Sequence, residues 1–329
     1  MSLATGVGSM PGTTNAAYAE AVRLVLGELP DLPHVPELPG RGVIAAMTGR
    51  GLALADGLAA DLQPAGWRLT GASGVDHRRA VSLLAQDLDT VEELAQGVVG
   101  AFKTQVTGPW TLAATVEKPR GDKLLSDHGA RRELAQALAE GVRIHLADLR
   151  RRVSGVERWI VQIDEPALAA VANAQVPTAS GFGRHRRVDA PELSAHLEWM
   201  VAAIADSGAE AWVHSCAPQI PWGLVAGTGV AGLSADLDML GPGDLDVFAE
   251  ALEAGRTAAL GVVPSADPAT PPSDARLTER VQRWFDMLGL DPETAGEHLV
   301  VTPTCGLAGA TPAWAARAVR LSATVARNL

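Results

Sequence analysis

The sequence predicts a parallel α/β fold, because short apolar segments alternate with amphipathic helical patterns and each segment ends in polar or glycine residues. The predicted strands cover residues 5–8, 34–37, 103–107, 160–164, 211–214, 232–235, 258–263 and 299–302. Eight strands in 329 residues fit a single (β/α)8 TIM barrel over residues 1–329 better than a doubly wound sheet, which stays the alternative. In such a barrel, we expect the loops that follow the strands to carry the chemistry.

Two of the intervening helices are clear from the sequence. Residues 129–152 carry apolar side chains at three- and four-residue spacing, which is typical of an amphipathic helix. A second helix follows Asp189, whose side chain is suited to cap the first turn, and Pro191 fits near its start.

Composition and charge exclude several function classes. The chain is 47% hydrophobic and 20% charged, which is typical of a globular protein and excludes disorder throughout. A net charge of −11 argues against nucleic acid or an anionic membrane as a partner, since both carry phosphate. The most basic segment, residues 184–187, is short, and we expect a solvated loop there.

The cysteine count and the terminal sequence indicate a cytoplasmic protein. Two cysteines are too few for a disulfide scaffold, although one bridge is possible, and no secretory signal precedes them. Residues 211–235 contain no Asp, Glu, Lys or Arg, but their prolines and glycines make a poor membrane span. We therefore expect buried strands in this segment.

Both cysteines follow predicted strands and belong to a candidate zinc site. His214 and Cys216 are two residues apart at a strand end, so their side chains point to the same side. Cys305 follows the last strand, and Asp236 follows the strand 232–235. Imidazole, two thiolates and a carboxylate form a plausible tetrahedral zinc set. The alternative is that the cysteines are simply buried small apolar residues.

Two adjacent carboxylates, Asp164 and Glu165, end the strand 160–164. Because side chains alternate along a strand, only one of them can point into the barrel, so they do not form an acid/base pair by default. Asp164 is suited either to bind a substrate ammonium group or to cap a helix in which Pro166 takes an early position.

The N-terminal loop, residues 6–12, is rich in glycine. It departs from the dinucleotide-binding pattern because its third glycine comes one position late and Pro11 has no amide donor. Ser9 and the neighbouring amides are instead suited to a small carboxylate, or the segment is simply a turn.

Four segments together resemble a known family. Residues 5–13, 162–168, 214–216 and 305–307 occur in the order found in the C-terminal catalytic barrel of cobalamin-independent methionine synthase. This resemblance covers nearly the whole chain. It implies a (β/α)8 barrel in which zinc binds and activates the thiol of homocysteine for methylation, within a superfamily that also contains the metal-free uroporphyrinogen decarboxylases.

The resemblance implies a role for each matching residue. The matches to zinc ligands are His214, Cys216, Cys305 and, where the family has a glutamate, Asp236. Asp164 matches the acid that holds the amino group of homocysteine. The loop that contacts the substrate carboxylate corresponds to Val7, Gly8 and Ser9. Glu37 corresponds, in a looser alignment, to a second amine-binding acid.

The chain departs from the family on the side of the methyl donor. No histidine follows the strand 258–263, Trp110 is out of register with the family's pterin-contacting tryptophan, and we expect no second, folate-binding barrel in this length. We therefore predict zinc-dependent methyl transfer to homocysteine or a similar thiol, from a methylfolate or a methylated corrinoid protein. The alternatives are a methylcobalamin:thiol methyltransferase and a non-catalytic zinc- or thiol-binding barrel.

Overall fold

The computed structural model describes residues 2–291 and 295–329. Its strands are β1 (Leu3–Ala4), β2 (Ala60–Gln63), β3 (Gly66–Leu69), β4 (Gly100–Thr107), β5 (Val156–Asp164), β6 (Glu210–Ser215), β7 (Gly232–Asp236), β8 (Thr257–Val263) and β9 (Leu299–Pro303). Its α-helices are α1 (Asn15–Glu28), α2 (Met47–Leu54), α3 (Val75–Leu94), α4 (Pro109–Thr115), α5 (His128–Arg152), α6 (Leu168–Ala172), α7 (Ala190–Asp206), α8 (Trp222–Gly227), α9 (Pro242–Glu253), α10 (Asp274–Leu288) and α11 (Pro312–Arg327).

Seven parallel strands form one curled sheet in the order β1, β9, β8, β7, β6, β5, β4. Residues 33–37 lie between its two edges. His34 pairs with Lys103 of β4, and Glu37 pairs with Ser9 beyond β1, both in parallel bridges. Backbone hydrogen bonds continue this pairing, from Val35 N to Lys103 O and from Met10 N to Glu37 O. The segment therefore takes the place of the eighth strand, and the predicted (β/α)8 barrel is confirmed.

Most predicted elements correspond to observed ones, but the prediction of a first strand over residues 5–8 is wrong, because the strand is Leu3–Ala4 and residues 5–8 belong to the loop that follows it. The helix predicted over residues 129–152 is α5, and Asp127 caps it by accepting a hydrogen bond from Ala130 N. Asp189 precedes α7 as predicted, but its side chain makes no capping hydrogen bond. The antiparallel hairpin of β2 and β3 was not predicted, because its strands of four residues each are too short to give a clear alternation.

Alternation along the strands places apolar side chains at the bottom of the barrel and polar ones above them. The bottom is closed by a cluster of buried side chains from Leu32, Ile160, Trp212, Ala259 and Val300. Gly232 leaves room for the Trp212 indole, since a Cβ atom there would lie 2.6 Å from the ring. Two residues further along β5 and β6, the inward positions are Gln162 and His214.

The helices pack around the sheet and bury most of the apolar side chains in one large core. In the described part of the chain, no helix combines the length and apolarity that a membrane crossing requires.

Candidate active site

A cavity of about 150 Å³ lies at the carboxyl ends of the strands. Its lining includes seven of the predicted site residues, namely Val7, Ser9, Glu37, Asp164, His214, Cys216 and Cys305. The structure thus brings together residues that are about 300 positions apart in the chain. A larger groove, of about 770 Å³, lies on the outer helices α2, α3 and α5 and contains none of the predicted site residues.

His214, Cys216 and Cys305 form a compact group of potential metal ligands. One ligand atom from each residue lies within 4.8 Å of the others. His214 Nδ1 is 2.9 Å from Ser234 Oγ, while His214 Nε2 is buried and has no hydrogen-bond partner in the described part of the chain. Burial, assisted by the Lys103 ammonium, lowers the pKa of His214 to about 3, so the imidazole is neutral.

The structure joins the sulfur atoms of Cys216 and Cys305 as a disulfide, although the sequence predicts two thiolates. The Cα atoms are 5.9 Å apart, so the two loops hold the cysteines side by side. A disulfide and a zinc–thiolate site exclude each other, because only the reduced sulfurs carry a charge for the metal.

Asp236 does not belong to this group of ligand atoms. Its side chain accepts a hydrogen bond from Asp238 N at 3.0 Å and caps the short 3-10 helix at residues 237–239. Asp236 nevertheless follows Ser234 by two residues in β7, so its position is on the same side of the sheet as the partner of His214.

The N-terminal loop is fixed by hydrogen bonds to three of its carbonyl groups. Lys103 Nζ and Gln162 Nε2 donate to Val7 O, and the backbone amide of Glu37 donates to Gly8 O. Leu307 N donates to Ser9 O at 2.7 Å.

Glycines allow this loop to pack closely against its neighbours. Gly8 has a φ of 153°, and a Cβ atom there would lie 2.8 Å from Gln105 Cγ. Gly306 packs directly against the Ser9 hydroxyl, where a side chain would collide. The loop that holds Cys305 therefore also fixes the N-terminal loop.

Asp164 and Glu165 point in opposite directions, as the alternation predicts. Asp164 lines the cavity and pairs in register with His214 of β6. Glu165 is fully buried, and its carboxylate accepts hydrogen bonds from Trp110 N, Thr111 N and Thr111 Oγ1 at the start of α4. The alternative that Asp164 caps a helix is not observed, since Ala167 precedes α6.

Burial changes the protonation of both acids. Burial raises the pKa of Asp164 to about 8, and the Glu37 carboxylate acts in the same direction. Burial also raises the pKa of Glu165 to about 7, although the three hydrogen bonds from α4 oppose this shift. Asp164 therefore needs a cation beside it to be fully ionised at neutral pH.

Glu37 lies at the edge of the cavity, where two side chains hold its carboxylate. Its Oε1 atom accepts a hydrogen bond from Gln105 Nε2 at 3.0 Å and lies 3.2 Å from Arg50 Nε. Arg50 also pairs with Asp87 at 3.0 Å, so one guanidinium group connects two carboxylates.

Sequence reasoning missed Lys103, which is fully buried beneath the cavity. Burial lowers its pKa to about 8, against the opposing effect of the Asp164 and Glu37 carboxylates. The signal was present in the sequence, because Lys103, Gln105 and Thr107 alternate along β4 and therefore point to one side. A lysine within a strand of this kind indicates a polar barrel interior.

Where the sequence departs from the family on the donor side, the side chains make contacts within the protein. Trp110 is fully buried, donates from Nε1 to Leu193 O at 3.0 Å and stacks on His196. Beyond β8, Ser265 hydrogen-bonds Thr304, and Asp267 accepts hydrogen bonds from Thr311 at the start of α11.

Comparisons with known proteins agree with this architecture. Residues 84–328 match the family model described as the catalytic domain of cobalamin-independent synthase. A B12-independent methionine synthase from Shewanella sp. W3-18-1, solved in complex with selenomethionine, superposes with a TM-score of 0.62 at 14% identity. The superposition covers 99% of this chain and 96% of that one.

Two other solved structures are less similar. A morphinone reductase variant has a TM-score of 0.42 at 12% identity, covering 92% of this chain and 81% of that one. An intracellular xylanase from Thermoanaerobacterium saccharolyticum also has a TM-score of 0.42, at 9% identity, covering 93% and 86%. No curated protein matched the chain. The family match spans more than half of the chain, which therefore belongs to the cobalamin-independent methionine synthase family.

Proposed function

We propose that this chain is a zinc-dependent S-methyltransferase that methylates homocysteine with a methylfolate or a methylated corrinoid protein as donor. The observation that carries the proposal is the single cavity in which His214, Cys216 and Cys305 lie beside Asp164 and the N-terminal loop. Soft sulfur ligands and one imidazole suit zinc, and the carboxylate and loop suit an amino acid.

The ligand atoms support a zinc site at His214, Cys216 and Cys305. One imidazole nitrogen of His214 lies within 4.8 Å of the sulfur ligand atoms; Nε2 is buried without a hydrogen-bond partner in the described part of the chain, and Ser234 holds Nδ1. Three protein ligands and one exchangeable position are typical of catalytic zinc. Asp236, at the end of β7, is the proposed fourth ligand, which gives way to the substrate.

Zinc, when bound, would lower the pKa of the homocysteine thiol and keep it as a nucleophilic thiolate at neutral pH. The protein itself positions the substrate. Asp164 and Glu37 bind the ammonium group, and residues 7–9 bind the carboxylate. Fixing the amino-acid part holds the sulfur at one place in the cavity, which supplies much of the rate through orientation.

The donor side favours a corrinoid over a folate. Trp110 is held in the core, and residues 264–267 contribute no histidine that might protonate a leaving folate. A methylated corrinoid needs no pterin pocket. The same reasoning keeps a methylcobalamin:thiol methyltransferase as the related alternative.

The proposal is tested by assaying methionine formation from homocysteine with methylcobalamin and with methylfolates. We expect methionine from methylcobalamin at a clearly higher rate than from any methylfolate. Equal rates with both donors would refute the altered donor side, and no methionine from any donor would refute methyl transfer.

The metal site is tested by zinc analysis of protein purified under reducing conditions. We expect about one zinc per chain in the wild type, as for a single tetrahedral site, and loss of zinc in both Cys216→Ser and Cys305→Ser. Ser215→Ala, a neighbouring substitution that leaves all ligands in place, is the matched control. Metal-free wild-type protein would overturn the zinc proposal.

A second candidate function, a non-catalytic zinc- or thiol-binding barrel, is favoured by one observation. Beyond β8, Ser265 and Asp267 hydrogen-bond Thr304 and Thr311 within the protein, so these side chains are not free to contact a methyl donor. Stoichiometric zinc and homocysteine binding without methyl transfer from any donor would support this candidate.

A further inference from the structure

One buried ammonium group lies at the centre of a hydrogen-bond network below the cavity. Lys103 Nζ is 3.0 Å from Val7 O, 3.0 Å from Gln162 Oε1 and 3.5 Å from Gln105 Oε1. Its side chain extends from β4 and is fully buried. A lysine ammonium has three donors and no acceptor, so these three oxygen atoms satisfy it completely.

The ammonium fixes the orientation of both glutamine amides. Because it can only donate, each amide turns its oxygen towards Lys103 and its NH2 group away. Gln162 Nε2 then donates to Asp164 Oδ1 at 2.7 Å and to Val7 O at 2.9 Å. Gln105 Nε2 donates to Glu37 Oε1 at 3.0 Å and to Val35 O at 2.7 Å.

The two amides therefore support the two acids that we expect to bind the substrate ammonium. Gln162 occupies one oxygen of Asp164. Within residues 2–291 and 295–329, no hydrogen-bond donor contacts the other oxygen, Oδ2, and Asp164 lines the cavity. Gln105 holds Glu37 in the same way, from the opposite side of Lys103.

We propose that Lys103 is a positioning residue for recognition of the substrate amino group, acting through Gln162 on Asp164 and through Gln105 on Glu37. This inference rests on the proposed function. Without the ammonium, each amide oxygen loses its donor, and the present orientation of the amide then depends only on the bonds that its own NH2 group donates, including those to Val7 O and Val35 O. An amide oxygen turned towards a carboxylate repels it, and the acid then leaves the position that binds the amine.

The experiment compares two thiols that differ only in the amino group, homocysteine and 4-mercaptobutanoic acid. Their dissociation constants are measured on reduced, zinc-loaded wild type and Lys103→Met. We expect wild type to bind homocysteine more tightly than 4-mercaptobutanoic acid. In Lys103→Met, the ratio of the two dissociation constants should fall roughly tenfold, the equivalent of one charge-assisted hydrogen bond. Binding of 4-mercaptobutanoic acid should weaken less than binding of homocysteine, because that thiol has no ammonium group and Gln162 still holds Val7 O in the loop proposed to bind the carboxylate.

Lys123→Met is the matched control, since Lys123 donates to Thr115 O at 3.1 Å and is absent from the cavity lining. It should keep the full preference for homocysteine. Equal weakening of both thiols in Lys103→Met would show a merely structural role and overturn the inference.

A second variant, Gln162→Met, keeps the test valid if Lys103→Met fails to fold by circular dichroism. It should reduce the preference in the same direction, and the double variant should lose no more than the larger single loss, because both residues act on Asp164. If Lys103→Met or Gln162→Met folds and keeps the wild-type preference for homocysteine, the inference about Lys103 is overturned but the proposed function is not. A wild type that binds both thiols equally overturns the proposed function as well.

Discussion

The two sides of the cavity mouth use their acidic side chains differently. On the side of β4 to β6 and the N-terminal loop, Asp164 and Glu37 line the cavity, and buried amides support their carboxylates. On the side of β7 and β8, Asp236 bonds the amide of Asp238, and Asp267 bonds Thr311. We propose that the first side binds an amino-acid ligand, whereas the acids of the second side hydrogen-bond neighbouring backbone and side chains.

This difference means that the two sides should respond differently to substitution. The acceptor side depends on a network that links β4, β5 and the N-terminal loop, so a change at one residue disturbs several others. The ends of β7 and β8 contribute single side chains, so a change at one of them disturbs fewer contacts.

Asp164→Asn should give the largest effect of any change on the acceptor side. The substitution keeps the shape of the side chain but removes the charge that pairs with the substrate ammonium. We expect kcat/KM for homocysteine to fall by roughly 100-fold or more, because removing one partner of a buried charge pair costs about 2–5 kcal/mol. Steady-state kinetics check this, and zinc content should not change. A fall of less than threefold, about 0.7 kcal/mol, would remove Asp164 from the substrate site.

The pH dependence of binding should follow the titration of the same residue. Burial raises the pKa of Asp164 to about 8, so the ionised form that binds an ammonium group increases as the pH rises from 6 to 8. We expect the preference for homocysteine over 4-mercaptobutanoic acid to increase by roughly tenfold per pH unit below that pKa. Titration calorimetry at several pH values measures it. Asp164→Asn should abolish the pH dependence of the preference, and a preference that falls with rising pH would contradict the assignment.

Most of the fold, and most of the residues that meet in the candidate site, could be predicted from the sequence. Strand ends gave His214, Cys216 and Asp164 directly, because parallel strands bring their carboxyl ends to one edge of the barrel. The sequence does not single out Lys103, because one charged residue within a predicted apolar strand does not show which groups it meets in the barrel. Its role depends on Gln162, which is 59 residues away.

Other features depend on tertiary contacts that no local pattern reveals. Whether Asp236 turns towards the cavity or towards the Asp238 amide is decided by the backbone after β7. The orientation of Trp110 also depends on a distant contact, because its indole donates to Leu193 O of α7, 83 residues further along the chain.

Glu165→Gln should separate stability from substrate binding. Three donors at the start of α4 contact the Glu165 carboxylate, and an amide in its place turns an NH2 group towards one of them. We expect a loss of about 2 kcal/mol in the free energy of unfolding, measured by urea denaturation. The dissociation constant of homocysteine should not change, since Glu165 points away from the cavity. A stable variant with weakened homocysteine binding would reverse the roles of the two adjacent acids.

Asp236→Asn should have a smaller effect on zinc than loss of either cysteine. Asparagine keeps the acceptor for Asp238 N, so the local backbone is preserved while the anionic ligand is removed. For an exchangeable fourth ligand, we expect zinc affinity to fall by roughly tenfold, measured by competition with a chelator. Complete loss of zinc, as in Cys305→Ser, would make Asp236 a full structural ligand, and unchanged affinity would remove it from the site.

Trp110→Phe should have the smallest effect and tests whether the donor side reaches this residue. Trp110 donates to Leu193 O at 3.0 Å and stacks on His196 at 4.7 Å, and it does not line the cavity. We expect a loss of about 1 kcal/mol in the free energy of unfolding from the missing hydrogen bond. The ratio of rates with methylcobalamin and methylfolate should stay the same as in wild type. A change in that ratio would place Trp110 against the donor, and the two sides of the cavity would then differ less than their hydrogen bonds indicate.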